Sequence, residues 1–337
     1  MNFEFSIIKG ETVHRIIHAN VGECVRKVED AYLLHGERKS VNPDSYFLVM
    51  PEHPRDRIIA LPAYLGGQFD VSGIKWIASY PDNIHKGFPR ASAVLILNRY
   101  DTGYPYACLE ASIISAARTA GSAVLGAQWL NGGVRKVRSL GLIGNGLIAR
   151  YIYGFLLEMG WEVEEVLLYD QEPREAERFA ASVCRAERHQ RVAVAPELPG
   201  LMRASELIVL ATVAPKPHIH EPGMLAHNPL VLNISLRDLA PELLLMSNNI
   251  VDDVEHVMKA NTSPHLAEKL TGGRAFVTGT LAQLMRGECK VDRSRPTIFS
   301  PFGLGVLDLA VGKWVYDQAV KAGEAIPISD FFFEMIR

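Results

Sequence analysis

The chain has 337 residues, of which 48% are hydrophobic, and its formal net charge at pH 7 is −3. This length predicts about two domains. The composition is typical of a globular protein with a large apolar core, and it lacks the basic excess that favours nucleic-acid binding. We therefore expect small-molecule partners and no nucleic-acid partner.

The amino-terminal run MNFEFSIIKG lacks the basic start and the apolar run of a signal peptide. No segment has the ~20 consecutive apolar residues of a membrane span. We therefore expect a cytoplasmic protein without a membrane partner. The four cysteines are widely separated and form no C-x-x-C pair, so we expect reduced core thiols and no disulfide framework.

The pattern of the chain changes near residue 130. From Arg57 to about Ala107, short β-rich runs joined by Gly, Pro and Asp turns predict an antiparallel sheet. The Ala-rich run LEASIISAARTAGSAVLGAQWL then has helical spacing and ends at Asn131-Gly132-Gly133. Beyond it, strands alternate with helices, which is typical of a doubly wound parallel sheet. The last helical run, LGVLDLAVGKWVYDQAV, is expected to return to the first domain.

The stretch SLGLIGNGLIARYI places Gly144, Gly146 and the small Ala149 between a predicted strand and a predicted helix. In a dinucleotide-binding turn, the first glycine allows the sharp turn and the second lets the backbone approach a pyrophosphate, while a small third residue lets the helix pack on the strand. Asp170 ends the next predicted strand, where an acid binds the ribose hydroxyls and repels a ribose phosphate. The pattern predicts an NAD site, and the alternative is a glycine-rich turn followed by a surface aspartate.

Lys75, within GIKWIAS, is a candidate for proton transfer. On a strand it shares one face with Ile77 and Ser79, while Trp76 points to the other. A lysine on an apolar strand is commonly an edge residue whose ammonium reaches water. If the ammonium is desolvated instead, its pKa falls and it can exchange protons with a substrate amine or carbonyl.

Two arginines and an aspartate are further candidates. Arg118 lies among small and apolar residues of the Ala-rich helix, and Arg57 opens the run RIIALP. Because an unpaired buried charge is costly, each arginine needs an anion. That anion is either a structural acid, such as Glu110 for Arg118, or a substrate carboxylate held by the guanidinium fork. Asp238 follows a predicted strand on the side where such sheets bind ligands, and the alternative is a helix N-cap.

His218 and His220 form an H-x-H pair of the kind found in metal sites. No further histidine, cysteine or acidic set is clearly placed to complete a coordination shell. We therefore expect no metal.

Four separated motifs, RIIALP, GIKW, EASIISAARTAGSA and the glycine motif after them, resemble the ornithine cyclodeaminase/mu-crystallin family in order and spacing. The resemblance extends from about Arg57 to the closing helix. It implies that residues 1–130 and 302–337 form an α+β domain for substrate binding and dimerisation, and that residues 131–301 form a Rossmann-type NAD domain. The expected fold class is therefore α/β, and the expected assembly is a homodimer.

The resemblance also implies roles for individual residues. Lys75 is the residue that handles the substrate proton, Arg57 and Arg118 bind a carboxylate, and Asp238 is the acid beside the reacting carbon. Trp76 is a further predicted substrate contact. The predicted cofactor contacts are Gly144, Asn145, Gly146, Leu147, Ile148, Asp170, Thr212 and Ser235.

Within the family, segments such as YPYACLEASIISAARTA and LNISLRD resemble those of NAD-dependent oxidoreductases, and this resemblance implies action on a CH–NH bond of a small amino-acid-derived substrate. The reaction that the resemblance implies is oxidative hydrolysis of N-((2S)-2-amino-2-carboxyethyl)-L-glutamate to L-2,3-diaminopropionate and 2-oxoglutarate, in siderophore or antibiotic precursor biosynthesis. The alternatives are an ornithine cyclodeaminase, an imino-acid or ketimine reductase, and a crystallin-type nucleotide-dependent binding protein. The segment LRDLAPE lacks the Gly-Asp and downstream Pro-Gly-Lys typical of ornithine cyclodeaminases, which disfavours simple ornithine cyclisation.

Overall fold

The computed structural model describes residues 4–333, which fold into two compact units. The first unit comprises the chain up to Arg118 together with the chain from Leu304, and the second comprises Thr119–Gly303. The division falls inside a helix, whereas the sequence places it at the glycine-rich end of that helix. Composition marks where a helix stops, but not which core each of its turns joins. The roles predicted for residues 1–130 with 302–337 and for 131–301 stay predictions.

The elements are numbered in chain order. The strands are β1 (Phe5–Ile8), β2 (Ser40–Val41), β3 (Tyr46–Met50), β4 (His53–Leu65), β5 (Val71–Ser79), β6 (Ala91–Arg99), β7 (Pro105–Glu110), β8 (Lys136–Ile143), β9 (Glu162–Tyr169), β10 (Arg191–Val194), β11 (Leu207–Leu210), β12 (Leu230–Asn233), β13 (Asn248–Val251), β14 (Gly279–Thr280), β15 (Thr297–Ser300) and β16 (Ile326–Ile328). The α-helices are α1 (Gly10–Ala19), α2 (Val21–Gly36), α3 (Ser112–Leu130), α4 (Leu147–Glu158), α5 (Pro173–Ser182), α6 (Leu198–Ala204), α7 (Pro241–Leu245), α8 (Val254–Val257), α9 (Ser263–Thr271), α10 (Leu281–Met285) and α11 (Gly305–Lys321).

The sheet of the first unit has the order β16-β1-β7-β6-β5-β4-β2, and β3 also pairs with β4. Strands β4 to β7 are antiparallel neighbours, as the alternation of strand and turn signals predicts. Helix α11 packs across β4, β5 and β6. Helix α11 and strand β6 pack so closely that a Cβ atom on Gly312 would lie 2.1 Å from Leu95 Cδ2 in β6, so a larger residue there would require the Leu95 side chain to move. This close packing brings side chains from the end of the chain against the central strands.

The sheet of the second unit has the order β10-β9-β8-β11-β12-β15-β13-β14, and all its pairs are parallel. The predicted doubly wound sheet is therefore confirmed. Strand order reverses between β8 and β11, and ligands of such sheets bind outside the carboxyl ends of the strands at this point. The glycine motif follows β8 and Asp170 follows β9, while Thr212 and Ser235 follow β11 and β12. All these residues therefore lie at the carboxyl ends of the parallel strands.

The four cysteines were expected to be core thiols, and only one of them lies in the core. All four cysteines are unpaired, and only Cys24 is fully buried, which raises the pKa of its thiol to about 12. Between residues 4 and 333, none of the helices combines the length and the apolar character needed to cross a bilayer.

Candidate active site

Lys75 lies in the interior of the first unit and not at an edge. Strand β5 is flanked by β4 and β6, and Lys75 pairs with Leu61 on one side and Leu95 on the other. Its side chain is only 2% exposed. The edge alternative is therefore wrong, and the desolvated alternative describes this lysine.

The ammonium of Lys75 is held by a small buried network, which we call the Lys75 cluster: Lys75, Ser115, Arg118 and Asp308. Lys75 Nζ donates to Asp308 Oδ2 at 2.7 Å and to Ser115 Oγ at 3.1 Å. Arg118 Nε donates to the other oxygen, Asp308 Oδ1, at 3.2 Å. The Asp308 side chain is fully buried. One carboxylate therefore serves two cations, and the cluster keeps a net positive charge when all three groups are ionised.

The environment lowers the pKa of Lys75 from 10.5 to about 8. Burial is the largest cause, because it disfavours the charged ammonium. The neighbouring charge of Arg118 lowers the pKa further, while Asp308 opposes both effects. A lysine with a pKa near neutrality can release and accept a proton at physiological pH, which an ordinary lysine does rarely.

Asp308 is the charged member of the cluster that the sequence does not predict. It sits in the first turn of α11 and lies 233 positions from Lys75 along the chain. The proposed structural partner of Arg118, Glu110, accepts instead from the Ser112 and Ile113 N–H groups at the start of α3, at 2.8 and 3.3 Å. That proposal is wrong because those N–H groups take up both oxygens of the Glu110 carboxylate. The sequence feature that points to Asp308 is its position as a single acid within the apolar run GVLDLAV.

Arg57 and Trp76 occupy different faces of the same sheet. Arg57 pairs with Ser79, which lies on the Lys75 face of β5, and its buried Nε has no hydrogen-bond partner among residues 4–333. Trp76 lies between Ala60 and Val94 on the opposite face and is 42% exposed. The structure does not bring Trp76 to the Lys75 cluster, because adjacent residues of a strand point to opposite sides.

The glycine loop, Gly144–Ile148, has the geometry of a phosphate cradle. Gly144 has φ +82°, and a Cβ atom there would lie 2.7 Å from the Ala211 carbonyl oxygen, so the tight turn requires glycine. Gly146 is the N-cap of α4 and has no side-chain cap, and the space where its Cβ would lie is open to 4 Å. The first N–H groups of α4, at Leu147 and Ile148, are therefore available to an anion at the positive end of the helix dipole.

Asp170 is tied directly to the glycine loop. Its Oδ2 accepts from the Asn145 N–H at 2.7 Å, and its Oδ1 accepts from the Glu172 N–H at 3.0 Å. The Asn145 side chain donates to the Leu142 carbonyl at 3.3 Å, which fixes the loop on β8. The half-buried Asp170 carboxylate thus stands beside the cradle, where a ribose would follow the phosphates.

The buried Asp238 is the centre of a second group of polar side chains, the Asp238 cluster: Thr212, His218, Ser235 and Asp238. Thr212 Oγ1 donates to Asp238 Oδ1 at 2.6 Å, and Ser235 Oγ donates to Oδ2 at 2.5 Å. His218 Nε2 lies 3.4 Å from Oδ1. The N-cap alternative is wrong, because the following helix α7 has Ala240 as its N-cap. Asp238 itself is fully buried, so its direct effect is to orient the two hydroxyl groups.

His218 and His220 flank Ile219, which forms an isolated bridge with Leu239. Within the part of the chain that the structure describes, no group of three or more His, Cys, Asp or Glu side chains is arranged to hold a metal ion.

A parallel sheet with a glycine loop at its switch point, together with a buried lysine in a separate mixed sheet, defines an α/β protein built to bind a dinucleotide. A model of the ornithine cyclodeaminase/mu-crystallin family matches residues 11–323. The chain therefore belongs to the ornithine cyclodeaminase/mu-crystallin family.

Individual relatives narrow the class. The N-((2S)-2-amino-2-carboxyethyl)-L-glutamate dehydrogenase of Staphylococcus aureus is 30% identical over 305 residues, which cover 88% of this chain and 89% of the relative. An alanine dehydrogenase of Archaeoglobus fulgidus is 29% identical over an alignment of 344 positions, which covers 97% of this chain and 99% of the relative. A solved archaeal alanine dehydrogenase dimer with bound NAD has a TM-score of 0.84 and 26% identity, and the match covers 97% of this chain and 100% of that one.

The predicted family, the predicted α/β fold class and the predicted oxidoreductase class are confirmed by these matches. The substrate, the direction of the reaction and the roles of single residues stay predictions.

Proposed function

We propose that the protein is an NAD-dependent oxidoreductase that acts on the CH–NH bond of an amino-acid-derived secondary amine. The observation that carries this proposal is the Lys75 ammonium, which is buried, has a pKa lowered to about 8 and lies beside Arg118. An amine of this kind accepts a substrate proton, and the adjacent guanidinium attracts a substrate carboxylate.

The second unit supplies the cofactor site. The uncapped start of α4 and the open space at Gly146 fit a pyrophosphate, and the Asp170 carboxylate fits a ribose with free hydroxyl groups. We assign Gly144, Asn145, Gly146, Leu147 and Ile148 to the pyrophosphate and Asp170 to the ribose. We assign Thr212 and Ser235, whose hydroxyls are oriented by Asp238, as further cofactor contacts.

The residues of the first unit prepare the substrate for oxidation. Arg118 and Arg57 bind carboxylate groups, and neutral Lys75 takes the proton from the secondary amine nitrogen. A bound NAD would supply the hydride acceptor for the glutamate α-carbon, so that loss of the N–H proton to Lys75 and of the α-hydride would leave an imine. Water then adds to the imine carbon, and cleavage of the C–N bond releases a ketone and a primary amine.

Asp238 has a positioning role in this scheme. Both of its oxygens accept hydrogen bonds from Thr212 and Ser235, so direct help to the attacking water requires one of those bonds to open. Orientation of the two hydroxyls requires no such change.

The substrate that we propose is N-((2S)-2-amino-2-carboxyethyl)-L-glutamate, with L-2,3-diaminopropionate and 2-oxoglutarate as products. The name and the 30% identity of the Staphylococcus aureus relative support this choice. The products suit a pathway that makes a siderophore or antibiotic precursor.

The test is to incubate the protein with NAD and this substrate, and to follow NADH by absorbance and the products by mass spectrometry. We expect one molecule of NADH to form for each molecule of 2-oxoglutarate that is released. Proline and ammonia from ornithine, with no net NADH, would indicate a cyclodeaminase instead. NADH consumption with cyclic imino acids would indicate a reductase, and NAD binding without turnover of any of these compounds would indicate a binding protein.

We also propose a homodimer. Strand β3 exposes four consecutive apolar residues, Tyr46–Val49, and the face of the sheet that carries Trp76 also exposes Val94. Exposed apolar surface of this kind favours a protein partner, and a second copy of the chain fits the extended sheet. Sedimentation at micromolar concentration should give a species twice the 37.3 kDa chain mass. A 37.3 kDa species alone would contradict the proposal.

A further inference from the structure

His218 is the most exposed member of the Asp238 cluster. Its side chain is 36% exposed, whereas that of Asp238 is fully buried, and its Nε2 atom lies 3.4 Å from Asp238 Oδ1. That separation is longer than a normal hydrogen bond, but acid–base contacts at active sites commonly tighten when a ligand binds. His218 is therefore placed to exchange protons both with the buried carboxylate and with water outside the protein.

The backbone holds His218 beside Asp238. The His218 and Ile219 N–H groups both donate to the Asp238 carbonyl at 3.0 Å, and the Ala240 N–H donates to the Ile219 carbonyl at 2.9 Å. Ile219 also forms the isolated bridge with Leu239. Because none of these bonds uses the imidazole ring, replacement of the His218 side chain should leave the two segments in place.

Thr212 contacts the same carboxylate oxygen as His218. Its Oγ1 atom donates to Asp238 Oδ1 at 2.6 Å and accepts from the Ala214 N–H at 3.1 Å. A hydroxyl oxygen has two lone pairs, so one of them remains for a water molecule. Thr212, Asp238 and His218 thus form a continuous path from a half-buried hydroxyl group to an exposed imidazole.

The proposed reaction needs a second proton acceptor. Lys75 takes the proton of the secondary amine before the imine forms, so its ammonium cannot also take the proton that water loses on adding to the imine. A neutral imidazole accepts a proton at one ring nitrogen and can release one from the other. A histidine at the solvent side of a buried carboxylate therefore has the chemistry that this second step requires.

We propose that His218 accepts, through Thr212 and Asp238, the proton that water loses when it adds to the imine, and releases a proton to solvent. This inference rests on the proposed function. As the water oxygen bonds to the imine carbon, the C=N electron pair moves to nitrogen and one water proton passes to Thr212 Oγ1. The Thr212 proton passes to Asp238 Oδ1 and then to His218 Nε2, while His218 Nδ1 releases its proton to solvent. Neither hydroxyl bond to Asp238 has to open before this transfer.

The experiment separates hydride transfer from hydrolysis. A single turnover is run with excess full-length protein, saturating NAD and N-((2S)-2-amino-2-carboxyethyl)-L-glutamate. NADH is followed by absorbance, and 2-oxoglutarate by mass spectrometry of quenched samples. In His218→Ala, NADH should form at close to the wild-type rate, while release of 2-oxoglutarate should slow by about 100-fold, the lower end of the range for a positioned acid–base group. Because this side chain is exposed, added imidazole can enter the vacated space and should restore much of the release rate.

His220→Ala is the matched control. His220 lies two positions further along the chain, is exposed, and has no side-chain hydrogen bond or ion pair among residues 4–333. Its loss should leave both rates at their wild-type values, with or without imidazole.

His218→Gln tests the alternative that His218 only stabilises the buried carboxylate by contact. Glutamine keeps an N–H donor but cannot accept a proton at one atom and release one from another. We therefore expect slow release of 2-oxoglutarate in this variant as well. Added imidazole should not help, because the glutamine side chain fills the space.

Three results would overturn the inference. The first is a folded His218→Ala protein that releases 2-oxoglutarate at the wild-type rate. The second is equal slowing of NADH formation and 2-oxoglutarate release without relief by imidazole, which would indicate a structural role. The third is normal release in His218→Gln. Each of these leaves the proposed function standing if the wild-type protein forms NADH and 2-oxoglutarate in equal amounts. If the wild-type protein forms neither product, the proposed function fails and this inference fails with it.

Discussion

The two units build their candidate sites from different materials. In the second unit, the candidate cofactor site consists mainly of backbone: a glycine loop, the uncapped start of α4 and one carboxylate that holds the loop by an N–H group. In the first unit, the candidate catalytic site consists of side-chain charges that come from β5, α3 and α11. The site of the second unit depends on the local backbone conformation, whereas the site of the first unit depends on which helices and strands pack together.

This difference predicts how each site responds to substitution. A backbone site tolerates most side-chain changes, because its donors are N–H groups that every residue except proline carries. A buried charge network does not, because removal of one partner leaves another buried charge unpaired. Substitutions in the Lys75 cluster should therefore have the largest effects, and substitutions around the glycine loop should change selectivity more than activity.

Lys75→Met should give the largest effect on catalysis. Methionine keeps most of the apolar stem but cannot accept a proton, so turnover of the secondary amine should fall by roughly 10²- to 10⁴-fold. NAD binding should remain intact, because the cofactor site belongs to the other unit. The measurement is steady-state NADH formation together with calorimetric titration of NAD.

Lys313→Met is a suitable control for Lys75→Met. Lys313 is a lysine of α11 that pairs with Asp317 four residues later, at the surface. Its replacement should leave turnover close to the wild-type value. A folded Lys75→Met protein that forms NADH at the wild-type rate would exclude Lys75 from proton transfer.

Asp308→Asn should have the largest effect on stability. The fully buried carboxylate binds both Lys75 and Arg118, and its neutralisation leaves two cations with no acid between them. We expect the free energy of unfolding to fall by about 3–5 kcal/mol. Denaturant unfolding measures this loss, and Asp317→Asn on the same helix should cost less than about 1 kcal/mol. Equal losses for the two variants would mean that the buried network adds nothing to stability.

The same contrast explains what the sequence could predict. The glycine loop and Asp170 lie within one strand–helix–strand segment, so contiguous residues carried the whole signal. Lys75 and Arg118 were found as unusual charges in apolar elements, but their shared partner Asp308 required knowledge that α11 packs on β5. The antiparallel register placed Trp76 on the face opposite Lys75, which the alternation of the strand already implied.

The pH dependence of the reaction tests the charge network directly. Neutral Lys75 is the active form, and its pKa is lowered to about 8, so the active fraction falls about 10-fold per pH unit below that value. We expect kcat/KM to rise with pH and to level off above about 8. Because Asp308 raises the pKa of Lys75, Asp308→Asn should move this limb to lower pH. A limb that does not move in that variant would belong to the substrate amine and not to Lys75.

We expect the smallest effect for substitutions in the candidate cofactor site of the second unit. The Asp170 carboxylate should repel a phosphate on the ribose, so NAD should bind more tightly than NADP.

Asp170 also accepts from the Asn145 N–H at 2.7 Å, so a variant must separate the loss of charge from the loss of this contact. Asp170→Asn removes the charge but keeps a carbonyl oxygen for that N–H group, whereas Asp170→Ser removes both. Calorimetry should show that Asp170→Asn narrows the preference for NAD by about 10-fold, mainly through tighter NADP binding. Asp170→Ser should narrow it similarly and weaken the binding of both cofactors, because the loop loses its anchor. If the wild-type protein prefers NADP, Asp170 does not contact the ribose, and the preference must then come from other residues near the glycine loop.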